Sequence, residues 1–267
     1  MALPIVPWIG GKRRLAETLL HRFPAHTCYV ELFAGGAALF FMRPPAEVEV
    51  LNDVNGDVIN LYRVVQNHVE EFVRQFKWAL SSREVFKWLQ DTPPETLTDI
   101  KRAARFYYLQ HNAFGGRVDG QSYGTATTGP PVNLMRIEES LSAAHLRLSG
   151  AYIERLDWAA CIDRYDRPHT LFYADPTYVV SDVKGEGRST ADSYHCETGL
   201  DHHRALIDLL AGGRLKGKMM LSGYRSKLYD DNLTAKRGWR LHTKAIDNKA
   251  QKGGVKRQMV ECVYTNF

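Results

Sequence analysis

Residues 28–41 read CYVELFAGGAALFF, and this stretch decides the fold class. The apolar run CYVELF is typical of a buried β-strand, and the glycine pair Gly35-Gly36 allows a tight turn after it. The residues after the glycines favour a short helix that continues through Phe41. A strand, a glycine turn and a helix in this order predict the opening of a β–α–β unit.

The segments that follow continue the alternation of strand and helix. EVEVLN at 47–52 predicts a second strand, and residues 57–76 carry apolar side chains at helical spacing. Later in the chain, strands are predicted at 151–156, 169–174 and 216–222, helices at 157–165 and 201–212, and an antiparallel pair of strands at 239–246 and 257–267. This alternation predicts a Rossmann-like α/β fold with a mostly parallel sheet.

The middle of the chain follows a different pattern. Residues 78–147 lack convincing strands, and a loop rich in Gly, Ser, Thr and Pro occupies 114–133. Helical patterns lie at 82–90, 97–112 and 134–148. We therefore predict one α/β domain, built from residues 1–77 and 148–267 and interrupted by a helical insertion at 78–147. A polar segment at 181–199 is expected to be a lid.

The composition is that of a globular protein. Hydrophobic residues make up 44% and charged residues 24%. No apolar run approaches the ~20 residues of a membrane span, and the N-terminal basic cluster follows a short apolar stretch, which is the wrong order for a secretory signal. We therefore expect a cytoplasmic protein that makes no membrane contact. The cysteines form no CxxC pair, which predicts free thiols with neither a disulfide nor a metal site, at Cys28, Cys161, Cys196 and Cys262.

Basic residues are concentrated between residues 236 and 257, where eight of them accompany one acid, Asp247. The net charge of the whole chain is +5, which permits a polyanionic partner without requiring one. The glycines of this tract indicate a basic loop that would contact phosphates through Lys249, Lys252 and Lys256. An ordinary solvated face is the alternative.

An acidic residue follows the glycine turn at a spacing used for ribose binding. Asp53, in LNDVN, lies 17 residues beyond Gly36, near the ~20-residue spacing at which an acid on the next strand reaches ribose hydroxyls. The GxGxxG fingerprint of dinucleotide-binding proteins is absent, because only Gly35 and Gly36 are present. A purely structural turn between strand and helix therefore remains an alternative.

A second chemical signal is ADPTY at residues 174–178, directly after the apolar run TLFYA. Open α/β sheets bind ligands at the carboxyl ends of their strands, so Asp175 would stand in a cleft, with Pro176 fixing the backbone direction. A carboxylate and a main-chain carbonyl that accept both N–H bonds of an exocyclic amine stabilise the charge that develops on it. The ring of Tyr178 would stack on an extruded base. A turn with a capping Asp is the plainer alternative.

A third signal, PWIGGKRRL at residues 7–15, places Trp8 and Lys12 around a glycine pair just before a helix. It is not a P-loop, because the GxxxxGK[ST] spacing is missing. An exposed helix start is the alternative for this segment taken alone.

In this order, the motifs resemble those of the Dam-type (D12 class) adenine-N6-specific DNA methyltransferases, in which the glycine turn precedes a DPPY box. The resemblance covers nearly the whole chain. Its eight blocks are PWIGGKRRL, VELFAGGAALFF, LNDVNGDVINLY, FYYLQHNAFGGR, LSGAYIERLDW, LFYADPTYV, LSGYRSKLYDD and RQMVECVYTNF. It implies a class I methyltransferase fold, in which the α/β part binds the cofactor and catalyses while the insertion at 78–147 recognises the target.

The resemblance also implies chemistry and site residues. A methyl group would pass from S-adenosylmethionine to the amine of an adenine flipped out of double-stranded DNA, leaving S-adenosylhomocysteine, without a metal because the sulfonium is already activated. The implied cofactor contacts are Trp8, Lys12, Phe33, Ala34, Gly35, Gly36, Asp53, Asp157, Trp158 and Asp175. The implied catalytic residues are Asp175, Pro176 and Tyr178. The implied DNA contacts are Asn112, Arg117, Tyr123, Lys249, Lys252 and Lys256. We expect a monomer, and GATC is the target common in the family, although its members diverge over residues 112–133.

One departure from the family pattern concerns the box itself. Thr177 stands where the second proline of DPPY is expected. Threonine restores a backbone N–H and frees φ, so the box is less rigid. A non-catalytic or attenuated DNA-binding relative is therefore one alternative; others are an enzyme acting on cytosine N4, RNA or a protein amide, and a different nucleotide-binding α/β protein.

Overall fold

The computed structural model describes residues 2–125, 137–177, 200–247 and 258–267, and within them seven strands form one sheet. The strands are β1 (Cys28–Glu31), β2 (Val48–Asn52), β3 (Ala151–Glu154), β4 (Thr170–Ala174), β5 (Lys218–Gly223), β6 (Arg240–Asp247) and β7 (Gln258–Thr265). Their order in the sheet is β3-β2-β1-β4-β5-β7-β6, and the first five run parallel. The predicted mostly parallel α/β sheet is confirmed.

The described helices cover both faces of this sheet. They are α1 (Ala16–Leu20), α2 (Ala38–Met42), α3 (Gly56–Asn67), α4 (Val69–Arg74), α5 (Arg83–Asp91), α6 (Asp99–Asn112), α7 (Glu138–Leu148), α8 (Trp158–Tyr165), α9 (Leu200–Ala211) and α10 (Lys227–Asn232). Within β1, Tyr29 packs into one buried cluster while Cys28 and Val30 pack into the other. Because both faces are covered, the parallel strands read as continuous apolar runs without alternation.

The topology creates a crevice between β1 and β4. From β1 the chain proceeds outward through β2 to β3 and then crosses back to β4 on the other side of β1. In open α/β sheets such a switch point is where ligands bind, outside the carboxyl ends of the strands. β1 and β4 pair in register, with Glu31 opposite Tyr173, so their carboxyl ends open at the same level.

The helix predicted at 57–76 is two helices, α3 and α4, separated at His68. His68 has φ −138° and ψ 38°, which is not helical, and its N–H closes α3 by donating to Val64 O at 2.7 Å. The break lets Phe72, on α4, pack edge-on against Tyr107 of α6 at 5.5 Å between ring centroids. Tertiary packing of these aromatic rings outweighs the continuous helical pattern of the sequence.

The helical middle of the chain lies against the α/β part. α6 and α7 both pack on α3, and their buried side chains join the same cluster as Tyr29. Among residues 78–125 and 137–147 there is one isolated bridge, between Ala113 and Tyr123, and no longer strand. The division into domains at 78 and 147 stays a prediction, and the lid predicted at 181–199 lies outside the described residues.

The predicted antiparallel pair at the C-terminal end is confirmed, but its order in the sheet is not apparent from sequence. β7 lies between β5 and β6 and runs antiparallel to both. None of the helices in the described part of the chain is long and apolar enough to cross a membrane.

Candidate active site

The crevice between β1 and β4 brings together two of the motifs predicted to act together. The N–H of Leu32 donates to the carbonyl of Tyr173 at 3.0 Å, just before the two strands end. The glycine turn then leaves β1, and Asp175 and the buried Pro176 leave β4. Phe33, Ala34, Gly35 and Gly36 therefore occupy one side of the crevice, and Asp175 occupies the other.

The glycine turn has a conformation that a larger residue would strain. Gly35 has φ +46°, and a Cβ added there would lie 2.6 Å from Nε1 of Trp8. The carbonyl of Gly35 accepts a 2.5 Å hydrogen bond from the hydroxyl of Tyr62 on α3. Trp8 from the N-terminal segment thus lies directly on the turn, which requires glycine both for its backbone and for this close approach.

Asp53 is fixed beside the turn by backbone hydrogen bonds. Its Oδ2 accepts from the N–H of Gly35 at 2.8 Å, and its Oδ1 accepts from the N–H of Asn55 at 2.9 Å. Burial raises the pKa of Asp53, while these hydrogen bonds act in the opposite direction. A carboxylate offers about four acceptor positions, and the backbone of Gly35, Val54 and Asn55 does not use all of them. The Asp53 carboxylate can therefore accept hydrogen bonds from a ligand that presents ribose hydroxyls.

Lys12 lies on Asp175. The Lys12 side chain is only 5% exposed, and its Nζ is 2.7 Å and 2.8 Å from the two carboxylate oxygens of Asp175. The same ammonium is 3.4 Å from Oε1 of Glu261 on β7 and donates to the carbonyl of Gly10 at 3.1 Å. One cation thus contacts two carboxylates, and it fixes the orientation of the Asp175 carboxylate at the mouth of the crevice.

Glu31, the last residue of β1, is a buried acid next to this group. Its Oε1 accepts hydrogen bonds from the Tyr29 hydroxyl at 2.8 Å and from the N–H of Phe40 at 2.7 Å. Burial, the largest cause, and the negative charge of Asp175 together raise the pKa of Glu31 to about 7, against the hydrogen bonds from Tyr29 and Phe40 and the charge of Arg43, which lower it. The carboxyl is therefore partly protonated at neutral pH.

Comparison with known proteins shows the family of this chain. Residues 8–240 match the D12 class N6 adenine-specific DNA methyltransferase family. The chain belongs to this family. The match includes the N-terminal segment with Trp8 and Lys12, the glycine turn and the strand that ends at Asp175.

Three of the relatives to which the chain is similar show the extent of the likeness. It is 29% identical over 113 residues to a DNA adenine methylase of Serratia marcescens, which covers 41% of this chain and 42% of that one. It is 34% identical over 116 residues to the type II methyltransferase M.CviBI of Paramecium bursaria Chlorella virus NC1A, covering 42% and 44%. A DNA adenine methylase of Haemophilus influenzae is 26% identical over 221 residues, covering 77% and 73%. The chain spans less than half the length of the first two.

In this member of the methyltransferase family, the side chain of Asn52 links the carboxyl ends of β1, β2 and β3 by hydrogen bonds. Its Nδ2 donates to the carbonyls of Leu32 at 3.0 Å and Leu156 at 3.1 Å, while its Oδ1 accepts from the N–H of Leu156 at 2.9 Å.

Asp157 and Trp158 lie at the start of α8. Asp157 is exposed, and it caps the helix by accepting from the N–H of Ala159 at 2.9 Å. Trp158 is 6% exposed and packs in the core under β1. Their predicted contacts with the cofactor adenine stay predictions.

The N-terminal segment also joins the site to the end of α6. The N–H of Ile9 donates to the carbonyl of Gly116 at 3.2 Å, and Nε2 of Gln110 donates to the carbonyl of Pro7 at 3.2 Å. His111 makes a further contact, with Nε2 2.9 Å from the carbonyl of Ile5. The N-terminal segment, which carries predicted cofactor contacts, is therefore hydrogen-bonded directly to the start of the predicted recognition segment.

The structure describes three of the predicted DNA contacts, Asn112, Arg117 and Tyr123, at and after the end of α6. Asn112 is buried and donates to the carbonyl of Tyr108 at 2.9 Å, so its side chain is used inside the fold. Arg117 and Tyr123 are partly exposed, and the guanidinium of Arg83 lies 5.0 Å above the Tyr123 ring. Their roles toward DNA stay predictions.

Several predicted residues fall outside the described part of the chain. These are Tyr178, Lys249, Lys252 and Lys256, together with residues 126–133 of the recognition loop. Within the part that is described, no group of three or more His, Cys, Asp or Glu side chains is arranged to hold a metal ion.

Glu31 and Glu261 are two further site residues, which belong to none of the predicted motifs' assigned roles. Each interrupts an apolar strand, in CYVELF and MVECVY, and a charged residue inside such a run is a signal for a buried polar partner. The sequence does not say which partner, because Lys12 and Glu261 lie at opposite ends of the chain.

Glu31→Gln is expected to stabilise the protein increasingly as the pH rises toward and above 7. The folded-state pKa of about 7 lies above the ordinary value of 4.5, so the folded state keeps a proton that the unfolded chain has lost. The stability contributed by Glu31 is therefore full below pH 4.5 and is lost as the pH rises through about 7. Glutamine cannot ionise, and its Oε1 still accepts from Tyr29 and Phe40.

Urea unfolding of the parent and the variant at pH 5 and pH 8 tests this expectation. Relative to the parent, the variant should gain free energy of unfolding between the two pH values, by at most about 3 kcal/mol. An equal pH dependence in both proteins would show that Glu31 does not titrate in this range.

Proposed function

We propose that the chain is a site-specific DNA adenine-N6 methyltransferase that uses S-adenosylmethionine and acts on an adenine flipped out of duplex DNA. The observation that carries the proposal is the position of Asp175 at the carboxyl end of β4, across the switch point from the glycine turn, in a chain of this family. A carboxylate at that position accepts an N–H of the target amine and stabilises the positive charge that develops during attack.

Lys12 supports this role by orienting the carboxylate. Both oxygens of Asp175 contact the Lys12 ammonium, yet each oxygen has a second acceptor position. Asp175 can therefore accept from the target amine while Lys12 holds it. The contact between Lys12 and Glu261 keeps the ammonium in place when the amine shares Asp175.

The proposed cofactor contacts follow the crevice. Trp8, Lys12 and the turn from Phe33 to Gly36 would hold the amino-acid portion, Asp53 the ribose, and Asp157 with Trp158 the base; Asp175 borders the methyl position. The bound cofactor supplies an already activated methyl group and leaves as S-adenosylhomocysteine. The chain's own tasks are to hold the two ligands in line and to accept hydrogen bonds from the amine.

The product identity tests the proposal. The purified protein is incubated with methyl-labelled S-adenosylmethionine and DNA from a methylation-free host, and the DNA is digested to nucleosides. Labelled N6-methyladenine is expected. Labelled N4-methylcytosine would show that the target is cytosine and not adenine. Binding of DNA and cofactor without any labelled product would identify a non-catalytic relative, the alternative that Thr177 suggests.

The recognition site is tested separately. Modified-base sequencing of the genome of a methylation-free host that expresses the chain should return one short motif, and GATC is our first expectation. A different short motif would leave the enzymatic proposal intact and correct the target, whereas scattered adenine modification would contradict site specificity.

The basic segment at 249–256 is proposed to contribute affinity without choosing sequence, because Lys and Arg contacts with phosphates carry no sequence information. Replacing Lys249, Lys252 and Lys256 by Ala should weaken binding of specific and unrelated duplexes alike. The slope of log K against log salt should become shallower by about 0.9 for each lost phosphate contact. A changed set of methylated sites would show instead that the segment reads bases.

A further inference from the structure

An arginine outside the predicted recognition segment lies directly on that segment. Arg83, the first residue of α5, is exposed. Its guanidinium lies over the ring of Tyr123, 5.0 Å from the ring centroid, and its Nη2 donates to Oγ1 of Thr125 at 3.0 Å. The guanidinium of Arg83 is therefore held by two side chains of the segment that is predicted to recognise the target.

The backbone that carries Arg83 is fixed by a contact between α5 and α6. Ser82 caps α5, because its Oγ accepts from the N–H of Val85 at 3.4 Å. The N–H of Ser82 itself donates to the hydroxyl of Tyr108 on α6 at 2.9 Å, and that hydroxyl donates to the carbonyl of Leu80 at 2.7 Å. Both ends of the Arg83 side chain are thus restrained, so less conformational entropy is lost when the guanidinium binds a ligand.

The segment under Arg83 is also attached to the candidate active site. The N–H of Gly124 donates to the carbonyl of Asn112 at 2.7 Å, which closes the chain between them into a loop. The carbonyl of Gly116 in this loop accepts from the N–H of Ile9 in the N-terminal segment at 3.2 Å. One loop therefore contacts both the candidate active site and Arg83, the arrangement expected of a residue that binds the duplex beside the target base.

The ring of Tyr123 is occupied within the fold. Phe86 meets it edge-on at 5.5 Å between ring centroids, and the guanidinium of Arg83 covers a face of it. Tyr123 is partly buried and packs against the main hydrophobic cluster. An aromatic ring fixed in this way supports a guanidinium by stacking. The group that this part of the surface presents to a ligand is therefore the guanidinium of Arg83.

The donors of Arg83 determine which ligand it can take. A guanidinium carries its N–H donors in a planar fork and has no acceptor. Oγ1 of Thr125 accepts from one of them, and within the described residues no carboxylate is among the contacts of Arg83. The other donors match two acceptors that lie side by side in a plane. DNA offers such a pair in the oxygens of a phosphate and in O6 and N7 of guanine.

We propose that Arg83 is a DNA-binding residue, which Tyr123 and Thr125 hold in place and which donates to a planar pair of acceptors on the duplex. The inference rests on the proposed function, because DNA is the substrate named there. It adds α5 to the DNA-binding surface. It also gives Tyr123 the role of supporting Arg83, in place of the direct DNA contact predicted from the sequence.

Duplex binding measured by fluorescence anisotropy tests the inference. With S-adenosylhomocysteine present, Arg83→Ala should weaken binding of duplex DNA roughly tenfold at low salt. Lys87→Ala is the matched control, because Lys87 is an exposed cation on the same helix that is already paired with Asp91 at 2.8 Å. This control should change the affinity little. Equal affinities of the Arg83→Ala and Lys87→Ala proteins would overturn the inference.

Arg83→Lys distinguishes the two acceptor pairs, because lysine keeps the charge but not the planar fork. If Arg83 binds a phosphate, lysine should recover most of the affinity. Alanine should then make the slope of log K against log salt shallower by about 0.9, with the methylated motif unchanged. If Arg83 binds guanine, lysine should bind as weakly as alanine, and modified-base sequencing should show a motif relaxed at one guanine.

A double-mutant cycle tests the role of Tyr123. Tyr123→Leu removes the ring on which Arg83 lies but leaves an apolar side chain against Phe86. The loss of affinity caused by Arg83→Ala should be much smaller when Tyr123 is already leucine, since the guanidinium is then no longer held. Additive losses would overturn the supporting role of Tyr123. Thermal unfolding of each variant checks that the fold is retained.

Binding without turnover keeps this inference separate from the proposed function. If the parent forms N6-methyladenine and Arg83→Ala binds DNA as well as the parent does, the inference fails and the proposed function stands. If the parent forms no N6-methyladenine and Arg83→Ala still weakens DNA binding relative to Lys87→Ala, the proposed function fails and the inference stands.

Discussion

Asp175→Ala is expected to reduce the single-turnover rate of methyl transfer by a hundredfold or more, the usual effect of removing a group that stabilises developing charge. The fold should survive, because the Lys12 ammonium that loses Asp175 keeps its contacts with Glu261 and the carbonyl of Gly10. DNA binding should be nearly unchanged. The measurement is rapid-quench methylation with saturating cofactor and duplex.

Asp175→Asn is the matched control for this expectation. Asparagine keeps one acceptor oxygen and a similar volume but carries no charge, so its rate should lie between those of the parent and of the alanine variant. Thermal unfolding of all three proteins checks the fold. Transfer within tenfold of the parent in the alanine variant would remove Asp175 from the catalytic role.

Asp53→Ala is expected to weaken S-adenosylmethionine binding by about ten- to a hundredfold, the range for losing hydrogen bonds to a charged group. Two losses combine: the acceptor proposed for the ribose hydroxyls, and the anchor that Asp53 gives to the N–H of Gly35. Duplex affinity measured without cofactor should stay the same. Calorimetric titration gives the cofactor dissociation constant directly.

A cofactor analogue separates these two losses. If Asp53 accepts from the ribose, an S-adenosylhomocysteine analogue without the 2′-hydroxyl should bind the parent more weakly than the intact ligand, while the Asp53→Ala variant should no longer distinguish the two. Additive effects of the substitution and the missing hydroxyl would restrict Asp53 to holding the turn. An unchanged cofactor affinity would remove it from the site.

Much of the fold follows from local pattern. The apolar runs CYVELF and TLFYA indicate strands, and they are apolar throughout because both faces of the sheet are covered. Gly35 indicates a turn because glycine readily adopts a positive φ, and its φ is +46°. The break at His68 is not visible in the same way, since residues on both sides continue the helical spacing. Whether Trp158 faces the crevice or the core also depends on how α8 is seated, which spacing alone does not set.

The sequence names candidate residues for the site, but it does not give the contacts between them. The resemblance implies that Lys12 and Asp175 both contact the cofactor, but it does not imply the ion pair between them that the structure shows. These residues are 163 positions apart, and Glu261 comes from a third part of the chain. Pairing across such separations depends on the strand order, which local patterns do not encode.

The position of β7 has a consequence for how the protein is made. β6 emerges from the ribosome before β7, yet β7 lies between it and β5, so β6 cannot dock until Gln258–Thr265 has been synthesised. Until then β5 presents an open edge, a form of exposure that invites pairing with another chain. The strand that closes this edge also carries Glu261 to Lys12. Closure of the sheet and completion of the charged cluster are therefore one late folding event, and a nascent chain halted before residue 258 has neither.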